Sequence, residues 1–328
     1  MKLATLKDGT RDGRLAVVSR NLQQAVDATA IAPTLQAALE RWAETEPALQ
    51  ALYGQLNDGA APGAFAFDPA QAMAPLPRAY QFIDASAFLN HGDIMEKAFN
   101  LTVEKVPGVP ILVPRQADDF RGPCDDYEFP SEADNGDFEG EVGVITDDVP
   151  MGTRAADAER HIKLFVLFND VSMRAHLFKE LKMGFGFVLA KPATVFAPVA
   201  VTPDEFGGAW RDGRVHLDLH VHRNGQPFGH PNGGQMDFSF GQILAHVAYN
   251  RHLRAGMVLG SGTFSNANYA QVGSACLAEQ RAVDVINHGE ARTPWLSFGE
   301  RLRFEMFDAQ GQSIFGAVDH QMVASNTL

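Results

Sequence analysis

Asp137-Phe138-Glu139-Gly140-Glu141-Val142-Gly143-Val144-Ile145 alternates after Gly140, with Val142 and Val144 set against Glu141, Gly143 and Ile145. That pattern predicts an extended strand, in which residues i and i+2 point to the same side. Glu139 and Glu141 then share one face, and Asp137 joins them if the strand reaches back that far. Like charges this close repel, so one carboxyl resists ionising unless a cation lies between them or a proton is shared. The pair is therefore read as the centre of a metal-dependent active site.

Working outward, Ile162-Lys-Leu-Phe-Val-Leu-Phe168 is a nearly continuous apolar run that stops at Asn169-Asp170. It reads as a buried strand with an acid at its mouth. Asp84 also stands in apolar company, between Phe82-Ile83 and Ala85-Ser-Ala-Phe-Leu89. Oxygen ligands with no cysteine nearby suit a hard divalent cation, with Mg²⁺ the first choice and Ca²⁺ or Mn²⁺ the alternatives.

The N-terminal part reads differently. Leu3 to Val18 predicts strand, turn, strand. Thr34 is a plausible N-cap for a helix carrying Leu35, Ala38, Leu39 and Trp42 at helical spacing. Gly59 to Pro77 is rich in Gly, Ala and Pro and reads as a linker. Residues 1–77 are thus expected to form a small N-terminal domain and linker, and residues 78–328 a catalytic domain. In the latter, Val215 to His222 reads as one strand before an Asn224-Gly225 hairpin turn. Phe238 to Leu253 reads as a helix, and Arg301–Phe307 with Ser313–Val318 as a closing hairpin. Strands dominate, so the class is mixed β with α+β character.

Composition narrows the function. The chain has 328 residues and a formal net charge of −13, which disfavours nucleic acid and anionic membrane surfaces as partners. No stretch approaches the ~20 apolar residues of a membrane span. The two cysteines, Cys124 and Cys276, form no CxxC spacing, so neither a disulfide framework nor a structural zinc site is expected. The first ten residues lack an apolar signal-peptide core, and a cytoplasmic location is expected.

Four blocks taken together carry a resemblance. Asp137-Phe-Glu-Gly-Glu-Val142, Phe168-Asn-Asp-Val-Ser-Met-Arg174, Lys191 and Gly256-Met-Val-Leu-Gly-Ser-Gly-Thr263 resemble the fumarylacetoacetate hydrolase family in order and spacing, over roughly residues 78–323. The resemblance implies that family's β-roll catalytic domain, preceded here by a small α/β N-terminal domain, and a homodimer. It implies Asp84, Glu139, Glu141 and Asp170 as metal carboxylates and His91 as general base. Lys191 matches a lysine beside the metal and the substrate oxygen, and Arg174 the arginine of the Asn-Asp-x-Ser-x-Arg block. Thr263 matches a substrate-contacting threonine. Glu279 matches the acid that orients His91, and Lys97 stands where one branch has a carboxylate-binding arginine. Ser86 occupies a position where that branch has a substrate-contacting tyrosine. A second family tyrosine is replaced by Val113 or Pro114, and an expected glutamine falls at Leu177. Asp93 and Glu96 are nearer in sequence to His91 than Glu279 is, so its partner is left open.

The implied activity is metal-dependent hydrolysis of a C–C bond in a small-molecule 1,3-diketo acid, with fumarylacetoacetate, split to fumarate and acetoacetate, as the best single candidate. A decarboxylase or hydratase acting on oxaloacetate, an acylpyruvate or a related 2-oxo acid is the second reading. A non-catalytic metal-containing binding protein is the third. Two further features have blander readings. His216, His220 and His222 are expected to face outward from a hairpin. Met183, Phe185 and Phe187 either wall the site or belong to a core or dimer contact.

Overall fold

Ile162–Asn169 is the central strand of an 11-stranded sheet. Its Leu, Phe and Val side chains are buried on both faces, which explains an apolar run without alternation. It pairs antiparallel with Gly140–Thr146, placing Phe168 opposite Glu141 and Asn169 opposite Gly140. Val258–Gly260 follows on the far side of Gly140–Thr146, then Phe82–Ala85 and finally Leu112–Arg115. The computed structural model describes residues 1–100 and 105–325, so the last residues of the span expected to reach 328 lie outside it.

The N-terminal strands extend this same sheet. Lys2–Leu6 pairs with Ala200–Val201 on one side and Arg14–Val18 on the other, and Gln24–Asp27 and Phe65–Ala66 follow outward. Thr34 caps a helix by accepting from Ala37 N, but that helix stops at Leu39 and a second one begins at Trp42 and runs to Asn57. Leu35, Trp42, Leu49 and Tyr53 pack with Leu164, Val166 and Phe168 in one apolar cluster. The N-terminal unit thus shares both its sheet and its core with the rest of the chain.

A second sheet of five strands contains Leu219–Arg223, Arg301–Met306 and Val318–Ala324. Three expectations are corrected here. The hairpin expected from Arg301–Phe307 and Ser313–Val318 closes at its tip, where Phe307 bridges Ser313 and Ile314 N donates to Met306 O at 3.0 Å, but its second arm is interrupted at Gly316 (φ +73°), which packs on Pro198, and the regular ladder runs from Val318 to Gln321. The strand expected from Val215 breaks at residues 216–218, leaving Arg214–Val215 and Leu219–Arg223. The Asn224-Gly225 hairpin does form, with φ 53° and 75° at the two residues, as a type I′ turn requires. The helix expected over Phe238–Leu253 spans only Phe240–Val247, started by a Ser239/Gln242 capping box.

Candidate active site

Three strands of the large sheet deliver the acids, two of them neighbours and the third separated from them by Val258–Gly260. Phe82–Ala85 carries Asp84, Gly140–Thr146 carries Glu141 with Glu139 just before it, and Ile162–Asn169 is followed by Asp170. Asp84, Glu139, Glu141 and Asp170 each offer an oxygen within 4.8 Å of the others, and all four are buried. Among the described residues this is the only cluster of His, Cys, Asp or Glu with such geometry.

Asp137 does not join it. The strand breaks between Gly136–Asp137 and Gly140–Thr146, and the break turns Asp137 toward the helix Leu277–His288. Its carboxylate accepts from Leu277 N at 2.7 Å and Ala278 N at 3.0 Å, satisfying amides that the first helical turn leaves free.

The cations are arranged unevenly. Lys191 Nζ donates to Glu139 Oε2 at 2.9 Å and Asp170 Oδ2 at 2.8 Å. Arg174 donates through Nε to Asp137 Oδ2 at 2.8 Å and through Nη2 to Glu139 Oε1. Arg115 Nη1 donates to Asp170 Oδ2, and its guanidinium lies 5.5 Å from the Phe82 ring centre. Burial pushes the Glu139 carboxyl up, but Lys191 and Arg174 outweigh it and hold the group well below the usual carboxylate range. Glu141 has no such neighbour, so burial and the charges of Asp84 and Asp170 push it well above that range. Asp84 is pushed up to about 7, by burial first and then by Asp170. Within the four-acid cage, the two carboxyls without a cation partner are thus the ones that resist ionising.

The backbone around them is shaped to this purpose. Gly262 N donates to Glu141 Oε2 at 2.9 Å and Asp84 Oδ1 at 3.2 Å. Gly262 holds φ +80°, and a Cβ there would overlap Ala85 O. A Cβ on Gly260 would overlap Asp84 Oδ1. Glu141 Oε1 and Thr263 Oγ1 are buried with no hydrogen-bond partner. Unsatisfied buried oxygens are rare, and an all-oxygen donor set of this kind fits a hard divalent cation.

The histidine stands on a neighbouring helix. Leu89–Phe99 packs on Leu277–His288 through Ile94, Ala282 and Val283. His91 Nδ1 meets Glu279 Oε2 at 2.9 Å, with the Glu279 side chain fully buried and His91 partly open. The open choice of partner is thereby resolved: Asp93 pairs with Lys105, and Glu96 is exposed. His91 also lies close enough to Glu139 for their charges to interact.

The remaining expected residues are placed unequally. Ser86 is exposed, and its Cα lies against Gly262, next to Thr263. Lys97 is exposed in the last turn of its helix, about 120° around the axis from His91, and makes no contact with the cage. Arg174 is buried behind Glu139 and so acts on the carboxylates. Phe185 is 99% exposed and Met183 62%, which removes the core reading for that segment. His216 and His220 line one shallow pocket, and the His220 ring stacks on His230 at 6.0 Å, but among the described residues no metal-holding cluster includes them. Arg115 was not anticipated, although a lone cation ending Leu112-Val-Pro-Arg115 is the same kind of signal as Asp170.

Comparison with known proteins places this arrangement. Residues 81–323 match the family described as fumarylacetoacetate (FAA) hydrolase C-terminal, and residues 1–78 match fumarylacetoacetase N-terminal domain 2. A 2,4-didehydro-3-deoxy-L-rhamnonate hydrolase of Sphingomonas sp. (strain SKA58) is 29% identical over 161 residues, covering 48% of this chain and 54% of that protein. The chain spans about half the length of the curated relatives it matches. A fumarylacetoacetate hydrolase from Exiguobacterium antarcticum superposes with TM-score 0.66 at 20% identity, covering 99% of this chain and 100% of the other. Maleylpyruvate hydrolase from Sphingobium sp. SYK-6, solved with manganese (II) and pyruvate, gives TM-score 0.65 at 17% identity, again over 99% and 100%. At those identities the structures establish the shared fold.

Proposed function

Because the chain belongs to the fumarylacetoacetate hydrolase family, we propose that it is a metal-dependent hydrolase cleaving a C–C bond in a 1,3-diketo acid. Fumarylacetoacetate, yielding fumarate and acetoacetate, is the substrate we put first. The observation that carries the proposal is the His91–Glu279 dyad beside four converging carboxylates and Lys191.

Asp84, Glu139, Glu141 and Asp170 would hold the divalent cation, Mg²⁺ in this proposal, with Ca²⁺ or Mn²⁺ as alternatives. When bound, that ion supplies Lewis-acid stabilisation to a developing enolate oxygen. The protein side chains do the rest. Glu279 accepts the Nδ1 proton of His91 and so fixes the tautomer with a bare Nε2. His91 Nε2 takes a proton from water as the oxygen adds to the carbonyl carbon. The C–C bond then breaks, its electron pair passes to the enolate carbon, and His91 returns the proton there. Lys191, cationic and buried, stabilises charge where it develops. Thr263 Oγ1 has hydrogen-bonding capacity left to meet a substrate oxygen. Ser86, exposed and next to Gly262, would contact substrate at the edge of the site, and Lys97 would be a peripheral carboxylate contact.

A domain boundary between residues 77 and 78, a homodimer and a cytoplasmic location complete the proposal. No helix among the described residues is long and apolar enough to cross a membrane, and both cysteines are free. Sedimentation at micromolar concentration tests the dimer. The function is tested by turnover of fumarylacetoacetate, acylpyruvates and oxaloacetate with added Mg²⁺. Glu139→Ala and Asp170→Ala should abolish turnover, and full retention in both defeats the reading. Selective loss of CO₂ from oxaloacetate would select the decarboxylase alternative, and no turnover on any substrate would select a binding role.

A further inference from the structure

We infer that His320 is a positioning residue for the metal centre: through the side-chain amide of Asn169 it fixes the backbone of Glu139. The inference rests on the metal reading proposed above but concerns residues outside the carboxylate cage.

Glu139 lies in the gap between Gly136–Asp137 and Gly140–Thr146, so its backbone is not held by a continuous ladder. Its carbonyl accepts from Asp170 N at 2.8 Å. Its N–H donates to Asn169 Oδ1 at 3.0 Å. The residue pair at the end of the central strand thus clamps both polar groups of the Glu139 peptide, Asn169 by its side chain and Asp170 by its amide. A carboxamide can face either way, and its two ends differ only in what they can bond. The N–H of Glu139 can only donate, so it requires the oxygen end.

The other end of Asn169 then decides its stability in that orientation. Asn169 Nδ2 meets His320 Nε2 at 3.1 Å, with Asn169 0% and His320 1% exposed. An amide NH₂ can only donate, so His320 Nε2 must be bare and the ring proton must sit on Nδ1. The opposite tautomer would turn two donors toward each other at Nε2 and favour a flipped Asn169. The flip would set its NH₂ against the Glu139 N–H. His320 arrives from the second sheet, on Val318–Ala324. It therefore ties the C-terminal strand to the orientation of a cage residue. Outer partners of metal ligands typically change affinity ~10–100-fold when lost.

Two measurements on the full-length protein test this. Titration calorimetry with Mn²⁺ should show His320→Leu binding on the order of 10–100-fold more weakly than wild type. His320→Gln, whose Oε1 can accept from Asn169, should recover most of that affinity. Equal affinity in wild type and His320→Leu overturns the inference, as does a Gln variant no better than Leu. Where His320→Leu fails to fold, ¹⁵N shifts of the wild-type histidine rings give an independent answer. They should report His320 neutral at pH 7 with its proton on Nδ1, and an Nε2–H tautomer overturns the inference. Glu139→Ala serves as the control: if it binds Mn²⁺ like wild type, the metal reading fails, whatever His320 does.

Discussion

Gly260→Ala offers a sharp probe of the cage because it adds one methyl group at a known point. Gly260 ends the strand Val258–Gly260 and does not adopt positive φ, so alanine suits its backbone. A Cβ there would overlap Asp84 Oδ1 and stand 3.1 Å from Glu141 Oε2 and 3.0 Å from Phe168 Cζ. Reaching ordinary contact would push the Asp84 oxygen back by on the order of 1 Å. Overpacking of a filled core costs ~1–3 kcal/mol, while loss of glycine freedom in the unfolded chain returns ~0.4–1 kcal/mol. The net destabilisation should be about 0–2.6 kcal/mol, leaving a folded protein. Metal binding should suffer far more, since coordination distances tolerate only about 0.2 Å. Affinity for Mn²⁺ should fall by more than the ~10–100-fold that accompanies loss of an outer partner. Urea unfolding of wild type, Gly260→Ala, Asp84→Ala and the double variant closes a thermodynamic cycle. The two changes should couple by ~0.5–3 kcal/mol, because Asp84→Ala removes the group being struck. Strict additivity, or undiminished Mn²⁺ affinity in Gly260→Ala, would refute the reasoning.

Other perturbations test separate parts. Glu279→Gln should lower kcat by ~10²–10⁴-fold, because His91 loses its tautomer-fixing carboxylate; steady-state kinetics at saturating Mg²⁺ decide it, and a loss below ~10-fold removes Glu279 from the dyad. Saturating Mn²⁺ at about 100 times its Kd should stabilise the fold by ~2.7 kcal/mol, seen as a rise in Tm of several degrees that EDTA reverses. His320 contributes a pH dependence whose sign is fixed by its burial, which pulls its pKa down to about 4 despite the opposing charge of Asp319. Above ~6.5 the ring is neutral both folded and unfolded and contributes nothing. As pH falls from ~6.5 toward 4, only the unfolded chain gains the proton, and up to about 3 kcal/mol of stability is lost. Denaturation between pH 7 and 4 should show His320→Gln with a shallower acid decline, and an unchanged decline would contradict the burial argument.

What could be read from the sequence was whatever depends on nearby residues. The run Ile162–Phe168 announces a buried strand, and the Asn224-Gly225 pair announces its hairpin, because both signals are local. Asp170 and Asp84 stand out as acids in apolar company for the same reason. The misreadings have tertiary causes. Asp137 has the i−2 spacing to share a face with Glu139, but the amides of Leu277 and Ala278 capture it from a distant helix. Ser313–Val318 looks like one continuous strand, yet Gly316 turns away against Pro198 and splits it, leaving Ser313 and Val318 paired on either side of the break. Glu279 and His320 reach the site from far along the chain, and no spacing rule could join either to its partner.

The distribution of charge explains why the Glu139/Glu141 pair persists. Five carboxylates, Asp84, Asp137, Glu139, Glu141 and Asp170, are buried with three cations, Arg115, Arg174 and Lys191. With all five ionised the cluster would carry two unit negative charges beyond what its own side chains neutralise, the complement of one divalent ion; without that ion Asp84 and Glu141 resist ionising. The excess is not spread evenly. Asp137, Glu139 and Asp170 each touch a guanidinium or ammonium group, whereas Asp84 and Glu141 form no ion pair and take their hydrogen bond from the amide of Gly262. A fourth basic side chain placed beside Asp84 would lower the free energy of the empty protein and weaken its hold on the ion. Val113→Lys, on the strand residue paired with Asp84, makes that opposition measurable. If its Nζ reaches the cage, unfolding free energy without metal should rise while Mn²⁺ affinity falls, and parallel movement of the two would show that surplus negative charge is not what holds the ion.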